Sequence, residues 1–291
     1  MDIYLLKSRG GSYNKRLYGK DITSNNLYEK LDNIENDDYM ISLVIEHTLI
    51  TTLQKNTFNK FSNLLKLAIN NSNITSLPKH LFDNLLLVES ISLANNKLSY
   101  LSQGLFAKLL NLKHLNLSNN NIMSLQKYTF VGAFNLTSLN ISFNKITSIN
   151  DDTFMSLLQL NFLELNNNRL KQFNKEILKK LINLQTLVLA NNKLSSFPVE
   201  FCRLINLQHF DLRYNRLSSL PVEILKIKDC LILDETSYEI NNLDMECKLL
   251  VFIELKINIT NLPINLEEIW LKEKITEYNI KLPFNCVINF F

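Results

Sequence analysis

Two carboxylates have the spacing that most readily suggests chemistry. In the periodic register described below, Glu164 and Asp211 lie two repeats apart, or roughly 10 Å at the spacing of neighbouring strands. Paired carboxylates near that distance serve inverting glycosidases. However, an open sheet offers no deep pocket that excludes water, and Arg213 follows Asp211 closely. We therefore interpret the two carboxylates as a solvated charge pair and predict that the chain is not an enzyme.

The histidines and cysteines do not indicate a metal site. His114 and His209 are four repeats apart, which separates them by roughly 19 Å, whereas zinc ligands lie about 2 Å from the ion. The four cysteines all lie in the last third of the chain without paired spacing, a pattern typical of reduced thiols. Phosphate-binding loops and hydrolase motifs are missing from the sequence. We expect no metal and no cofactor.

The composition narrows the class of protein. Apolar residues make up 46% and charged residues 20%, which argues against a disordered chain. The net charge of +3 is too small to indicate a nucleic-acid partner. No apolar run reaches the roughly 20 residues that a membrane span requires. Near the start, a short apolar patch at residues 3–6 precedes the basic residues, which is the reverse of a secretory signal. We expect a cytoplasmic protein.

A repeat that fills most of the chain must position these side chains. Its pattern, L-x-x-L-x-L-x-x-N-x-L, is clearest over residues 112–122. Alternating apolar and polar residues at 115–118 predict a short strand. One repeat cannot bury its own leucines, so the repeats must stack and their strands must form a parallel sheet. The frame recurs six times at intervals of 24 residues and then once at 23, starting at Met40, Leu64, Val88, Leu112, Leu136, Leu160, Leu184 and Leu207.

Two further columns of residues follow the same register. One is a ladder of buried amides that must be hydrogen-bonded, and we expect backbone partners in the same coil and in the next. Its members are Asn96, Asn120, Asn144, Asn168, Asn192 and Asn215, while Thr48 and Ser72 occupy the position in the first two repeats. The other column predicts an aromatic stack on the convex side and comprises Phe58, Phe82, Phe106, Phe130 and Phe154. The abundant asparagine is also predicted to supply the turns, because it tolerates left-handed backbone.

These motifs resemble the leucine-rich-repeat superfamily. Repeats 40–183 are similar to its 24-residue typical class, and repeats 184–229 to the 23-residue L-P class found in intracellular signalling scaffolds. The resemblance implies an α/β fold. The expected architecture is a right-handed leucine-rich-repeat solenoid, or horseshoe, with a parallel β-sheet on the concave face and mostly irregular or short helical convex segments. It also implies that the concave sheet binds protein.

The ends of the chain depart from the repeat. We predict an N-terminal flank or cap over residues 1–39, eight leucine-rich repeats over 40–229, and degenerate repeats with a C-terminal cap over 230–291. Within the first segment, Asn26 followed by Glu29 predicts a short helix with a capping box.

Most side chains on the open face of the predicted sheet are small and polar. The residues that depart from this pattern, because they are large or charged, cluster toward the C-terminal half. Interface anchors are typically aromatic residues and arginine. These departures therefore predict a partner-binding region, although ordinary surface variation is the alternative interpretation. The region comprises Phe143, Phe162, Glu164, His209, Asp211, Arg213 and Tyr214.

The function that fits these observations is a non-catalytic protein–protein interaction module or scaffold. We expect a protein partner, no nucleic acid and no membrane span. The bias toward Asn, Lys and Ile is typical of an AT-rich genome, such as that of some large DNA viruses or protists, so the module would serve as a host-interaction or signalling adaptor. The alternative is a recognition receptor for a glycan or lipid ligand, which a glycan on the sequon at Asn116 would favour.

Overall fold

Short parallel strands form where apolar and polar residues alternate, and turns connect them. The chain divides into a first unit, Met1–Leu160, and a second unit, Asn161–Phe291. Each unit stacks strand upon strand as the repeat predicts, which confirms the solenoid. The structure, a computed structural model, describes residues 2–7, 13–34, 40–217, 230–233, 249–252, 268–271 and 287–290.

The first unit begins with an antiparallel hairpin, and the second strand of this hairpin pairs in parallel with the first repeat strand. The repeat strands then pair in parallel at 24-residue steps, so that Leu67 lies opposite both Leu43 and Ile91. A separate small sheet joins β7 to β9. The elements are β1 Asp2–Lys7, β2 Tyr13–Tyr18, α1 Leu27–Asp32, β3 Met40–Glu46, β4 Lys66–Asn70, β5 Ser90–Ser92, β6 His114–Asn116, β7 Ser124–Leu125, β8 Ser138–Asn140 and β9 Ser148–Ile149.

In the second unit every neighbouring strand pair is parallel. Between strands 162–164 and 209–211 the connecting segments contain a short α-helix and a 3₁₀ helix, which confirms mostly irregular connections with short helices. The elements are β10 Phe162–Glu164, α2 Lys175–Leu178, β11 Thr186–Val188, a 3₁₀ helix Val199–Arg203, β12 His209–Asp211, β13 Cys230–Leu233, β14 Leu249–Phe252, β15 Glu268–Leu271 and β16 Val287–Phe290.

The segment predicted as degenerate repeats has regularly spaced strands. Cys230 pairs with Leu249, Leu249 with Glu268, and Glu268 with Val287, so each step is 19 residues. This spacing is shorter than that of the preceding repeats and is not apparent from the apolar pattern. The capping role of this segment stays a prediction, and the side chains of all four cysteines lie outside the described residues.

The predicted phenylalanine column fills the core of the first unit. Its five rings are completely buried and stacked, with successive centroids 6.4, 6.1, 5.9 and 5.9 Å apart, in the order Phe58, Phe82, Phe106, Phe130 and Phe154. In the second unit the same column holds Leu178 and Phe201, also buried. There a second aromatic column packs Phe173 against Phe197, with centroids 5.9 Å apart.

The ladder asparagines connect each coil to the one before it. The Asn120 side chain donates to the carbonyls of Leu93 (3.0 Å) and Leu117 (3.1 Å), and its Oδ1 accepts from the backbone N–H of Leu98 (3.0 Å). Leu93 and Leu98 belong to the preceding coil, so the expectation of bonds to the next coil was wrong. The amide reaches backward because the coil that precedes it exposes both an N–H and a carbonyl at the turn. In the second unit, Asn192 is bonded in the same way.

The first two coils replace the amide with a pair of hydroxyl groups. The Thr48 and Ser72 hydroxyls are 2.7 Å apart, and both residues are buried. Ser72 also donates to the carbonyl of Asn70 at 3.1 Å. A hydroxyl is too short to reach two backbone groups of the preceding coil, so at the ladder position a single side-chain bond connects the two coils.

Helix α1 starts after Asn26, as predicted, but without the capping box. The Asn26 backbone is already helical, and its side chain accepts from the Thr23 N–H and donates to the Asp21 carbonyl. An N-cap side chain needs an extended backbone in order to reach the N–H groups of the first turn. Asn26 therefore stabilises the turn that precedes the helix.

Gly132 lies where two connecting segments of the first unit are in close contact. Its φ is +88°, and a Cβ atom added there would lie 2.2 Å from the carbonyl oxygen of Ala107. Gly104 also has a positive φ of +71°, but an added Cβ would approach the Ala107 Cβ only to 3.9 Å. Both glycines have a left-handed backbone, but only at Gly132 would an added Cβ atom clash with a neighbouring segment.

We expect Asn120→Ala to lower the free energy of unfolding by about 3 kcal/mol, because it leaves the buried Leu98 N–H unpaired. Ser72→Ala removes only hydroxyl bonds and should lower it by about 1 kcal/mol. Urea denaturation followed by circular dichroism measures both. Equal losses would show that the amide ladder adds nothing beyond a hydroxyl.

Gly132→Ala should destabilise the protein by about 2 kcal/mol more than Gly104→Ala, because only the first substitution forces a Cβ atom against the Ala107 backbone. Left-handed strain is common to both variants and cancels in the comparison. The same denaturation experiment tests this expectation, and indistinguishable midpoints for the two variants would contradict it.

Candidate binding surface

The open face consists of the strand side chains that point away from the core. In the first unit its amides are bonded to the sheet itself. The Oδ1 atoms of Asn116 and Asn140 accept from the backbone N–H groups of Ser118 and Ser142, both at 2.9 Å. These bonds hold the amides against the backbone, so the middle of the face is small and polar.

An ion pair that the sequence analysis missed lies at the N-terminal end of this face. Arg16 of β2 forms an ion pair with Glu46 of β3, and the Asn70 amide donates to Glu46 at 3.4 Å. Arg16 also lies 5.8 Å from the centre of the Tyr18 ring. The hairpin that precedes the repeats thus extends both the sheet and its open face.

The second unit brings several predicted binding residues onto neighbouring strands. Phe162 is aligned with Thr186 and then His209, and Glu164 is aligned with Val188 and then Asp211. Phe162 is 46% exposed, which is unusual for a phenylalanine surrounded by half-buried polar residues. Phe162, Glu164 and His209 therefore share the open face of this unit. Their role in binding stays a prediction.

Asp211 is buried, so its interpretation as part of a solvated charge pair was wrong. Its side chain is only 4% exposed, and Arg213 covers it. Arg213 donates from Nε to Oδ1 (2.9 Å), from Nη2 to Oδ2 (2.6 Å) and from its backbone N–H to Oδ1 (3.1 Å). The carboxylate is engaged on both oxygens and fixes the guanidinium in one orientation. Asp211 thus positions Arg213.

The residue before each ladder position has a left-handed backbone. Asparagine occupies this site in most coils, with φ between 51° and 57° at Asn71, Asn95, Asn119, Asn167 and Asn191, which confirms that asparagine supplies the turns. Phe143 and Tyr214 occupy the same site with φ of 53° and 56° and are 50% and 48% exposed. A bulky residue with positive φ is a strained outlier. Phe143 belongs to the first unit and Tyr214 to the second.

The first unit also carries an exposed apolar row that was not predicted from the sequence. Each member lies 22 residues after a repeat start and is 50–53% exposed: Leu86, Leu110, Phe134 and Leu158. The side chains of Asn111 and Asn135 donate to the carbonyls of Leu86 and Leu110, both at 2.8 Å, and hold this backbone in register. The recurrence of an apolar residue at one offset was the signal available in the sequence.

Groups that could support chemistry are sparse in the described part of the chain. A depression of about 320 Å³ lies between residues 172–175 and 196–198, and its lining contains no histidine or carboxylate. Among the described residues, no cluster of three His, Cys, Asp or Glu side chains could hold a metal ion. No described helix has the length and apolar character needed to cross a membrane.

Comparisons with known proteins point to one fold. Among solved structures, the chain is similar to a leucine-rich-repeat protein of Leptospira interrogans (28% identity, TM-score 0.53), covering 67% of this chain and 55% of that one. It is also similar to a chain of the TLR13–ssRNA13 complex, with 22% identity and a TM-score of 0.70 over 92% of this chain and 45% of that one. A chain of the Toll–Spätzle complex of Drosophila is similar with 20% identity and a TM-score of 0.64 over 84% of this chain and 39% of that one. This chain therefore spans about half of those chains or less. No curated protein sequence matches it.

The leucine-rich-repeat family model matches residues 40–98, 87–133, 111–170, 134–194 and 163–217. Proteins with this repeat generally recognise protein or other ligands and are typically non-enzymatic binding modules. Together the matched segments cover residues 40–217, more than half of the 291 residues, and this protein therefore belongs to the leucine-rich-repeat family.

Proposed function

We propose that this protein is a non-catalytic interaction module that binds a protein partner on the open face of its second unit. The contact residues are Phe162, Glu164 and His209 on the strands, together with Arg213 and Tyr214 at their ends. In the first unit, Phe143 is a further contact residue. A scaffold or adaptor that engages host or signalling proteins in the cytoplasm is the form of this function that we favour, and a fluorescent fusion in the native cell tests the location.

This proposal is carried by two exposed aromatic residues, Phe143 and Tyr214, at the left-handed site that directly precedes a ladder asparagine. Strained residues persist where the surroundings fix the backbone, and they cluster at functional sites. Asparagine would relieve the strain at both positions, as it does at Asn119 and Asn191. A large ring held outward by a rigid turn provides a binding anchor with little conformational freedom to lose.

Arg213 adds a second anchor to the same face. Its guanidinium is about one-third exposed, while the Asp211 carboxylate beneath it is buried. Because the bidentate pair fixes the arginine before binding, ordering that side chain at an interface costs less. Because Arg213 donates to both oxygens of Asp211, this carboxylate is not available as a general base, which favours recognition over catalysis.

We expect Phe143→Asn to raise the free energy of unfolding by about 1 kcal/mol, because asparagine adopts the left-handed conformation with less strain. The matched change in the neighbouring coil, Asn119→Phe, should lower it by a similar amount. Both values come from urea denaturation. If Phe143→Asn destabilised the protein, the ring would be a packing residue, and backbone strain at this position would not indicate a binding role.

The binding role is tested by affinity capture from the native cell followed by quantitative mass spectrometry. A double variant, Phe162→Ala with Tyr214→Asn, should reduce capture of the specific protein partner by about tenfold or more, the effect of losing typical anchor residues. Phe134→Ala, equally exposed on the apolar row, is the control and should capture the partner normally. Undiminished capture by the folded double variant would contradict the proposal, and a glycan or lipid in place of a protein would support the alternative receptor function.

A further inference from the structure

The described part of the second unit is unusually basic. Residues 161–217 contain nine Lys and Arg and four Asp and Glu, a net charge of +5, whereas the whole chain carries +3. Three of the four acids are already in ion pairs, at Glu176 with Lys179, Glu200 with Lys175, and Asp211 with Arg213. Among residues 161–217, the remaining positive charge therefore has few acidic groups to neutralise it.

Part of this charge forms a row, which we call the cationic edge and define as Arg169, Lys193 and Arg216. Each residue directly follows a ladder asparagine, and each is exposed. None of the three forms an ion pair within the part of the chain that the structure describes. In the first unit the same position holds Lys97 and Lys145 with Asn121 between them, so no continuous row forms there.

The backbone holds the cationic edge in register. The N–H of Lys193 donates to the Leu170 carbonyl, and that of Arg216 to the Leu194 carbonyl, both at 2.8 Å. The ladder amides of Asn192 and Asn215 accept from the N–H groups of the same two leucines. Successive cations are therefore attached to adjacent coils roughly 5 Å apart, and the row extends over roughly 10 Å.

We propose that the cationic edge binds an acidic segment of the protein partner. This inference rests on the proposed function and names the chemistry of the partner beside the open face. Tyr214 and Arg213, two and three residues before Arg216, make the cationic edge continuous with the proposed contact surface. An extended peptide places every second side chain on one side at about 6.6 Å, so three alternating carboxylates span about 13 Å, a distance that three long cationic side chains attached over roughly 10 Å can reach.

A protein segment fits this edge better than a nucleic-acid strand. Single-stranded nucleic acid is held by successive aromatic platforms beside a charged groove. Along the described part of the cationic edge, the only adjoining exposed aromatic residue is Tyr214. Exposed ion pairs contribute little individually and are screened by salt. Binding through this row should therefore be modest, dependent on all three cations and sensitive to ionic strength.

The probe is a fluorescent peptide of about twelve residues that alternates glutamate with serine, with a glutamine–serine peptide as its neutral counterpart. The full chain should bind the acidic peptide more tightly, and its affinity should fall as salt rises from about 0.05 to 0.2 M. The triple variant Arg169→Gln, Lys193→Gln and Arg216→Gln should bind it about tenfold more weakly, the combined effect of three exposed ion pairs.

The control triple variant is Lys55→Gln, Lys97→Gln and Lys180→Gln, which removes the same charge from exposed positions that do not form a row. It should change the affinity for the acidic peptide less than about twofold. Equal weakening by both triple variants, or unchanged binding by the cationic-edge variant, would overturn the inference. Tighter binding of an oligothymidylate with the same number of charges would overturn it in favour of nucleic acid.

The two proposals can fail separately. If the Phe162→Ala and Tyr214→Asn variant loses the cellular partner while the cationic-edge variant captures it normally, only the acidic-segment inference falls. If the cationic-edge variant alone loses the partner, the open face is not the contact surface. Loss of the partner in both, with the Phe134→Ala and control triple variants unaffected, supports both proposals.

Discussion

The structure depends on a buried side-chain amide that bonds to the preceding coil. At Asn120 this amide satisfies the N–H of Leu98 and the carbonyl of Leu93, two backbone groups that the turn leaves without partners in a strand or helix. A buried polar group of this kind is expensive unless it is paired. Because the bonds run from one coil to its neighbour, the stability of each coil depends on the coil before it, which is the nearest-neighbour coupling expected of a solenoid.

The ladder also determines which positions are free to vary. It fixes the residue before it in a left-handed turn and leaves the residue after it exposed, as at Tyr214 and Arg216 on either side of Asn215. Neither neighbouring side chain is needed for the core. Sequence changes there alter the surface without altering the fold. Phe143, Tyr214 and the cationic edge occupy such positions, so the constraint that specifies the solenoid also presents part of the proposed binding groups.

Much of this architecture could be predicted from the sequence because it repeats. The strand register, the buried phenylalanine column and the asparagine turns each follow from one periodic pattern, and all are found. The pattern could not predict that Asp211 is buried, because periodicity assigns a side chain to a face but not whether a longer neighbour folds over it. Nor could it pair Arg16 with Glu46, which are 30 residues apart, since the hairpin lies outside the repeat. The 19-residue strand spacing after Cys230 was missed because the apolar pattern is weak there.

The same physical logic explains why recognition suits this surface. On the open face of the first unit, Asn116 and Asn140 are bonded to the backbone, so their oxygens are already engaged. In the second unit the Asp211 carboxylate is covered by Arg213. Catalysis by general acids and bases needs groups that are unsatisfied and shielded from water, and these groups are either satisfied or open to solvent. Rings such as Phe162 and cations such as Lys193 instead have surface left to bury or charge left to neutralise, and both gains are realised when another macromolecule covers them.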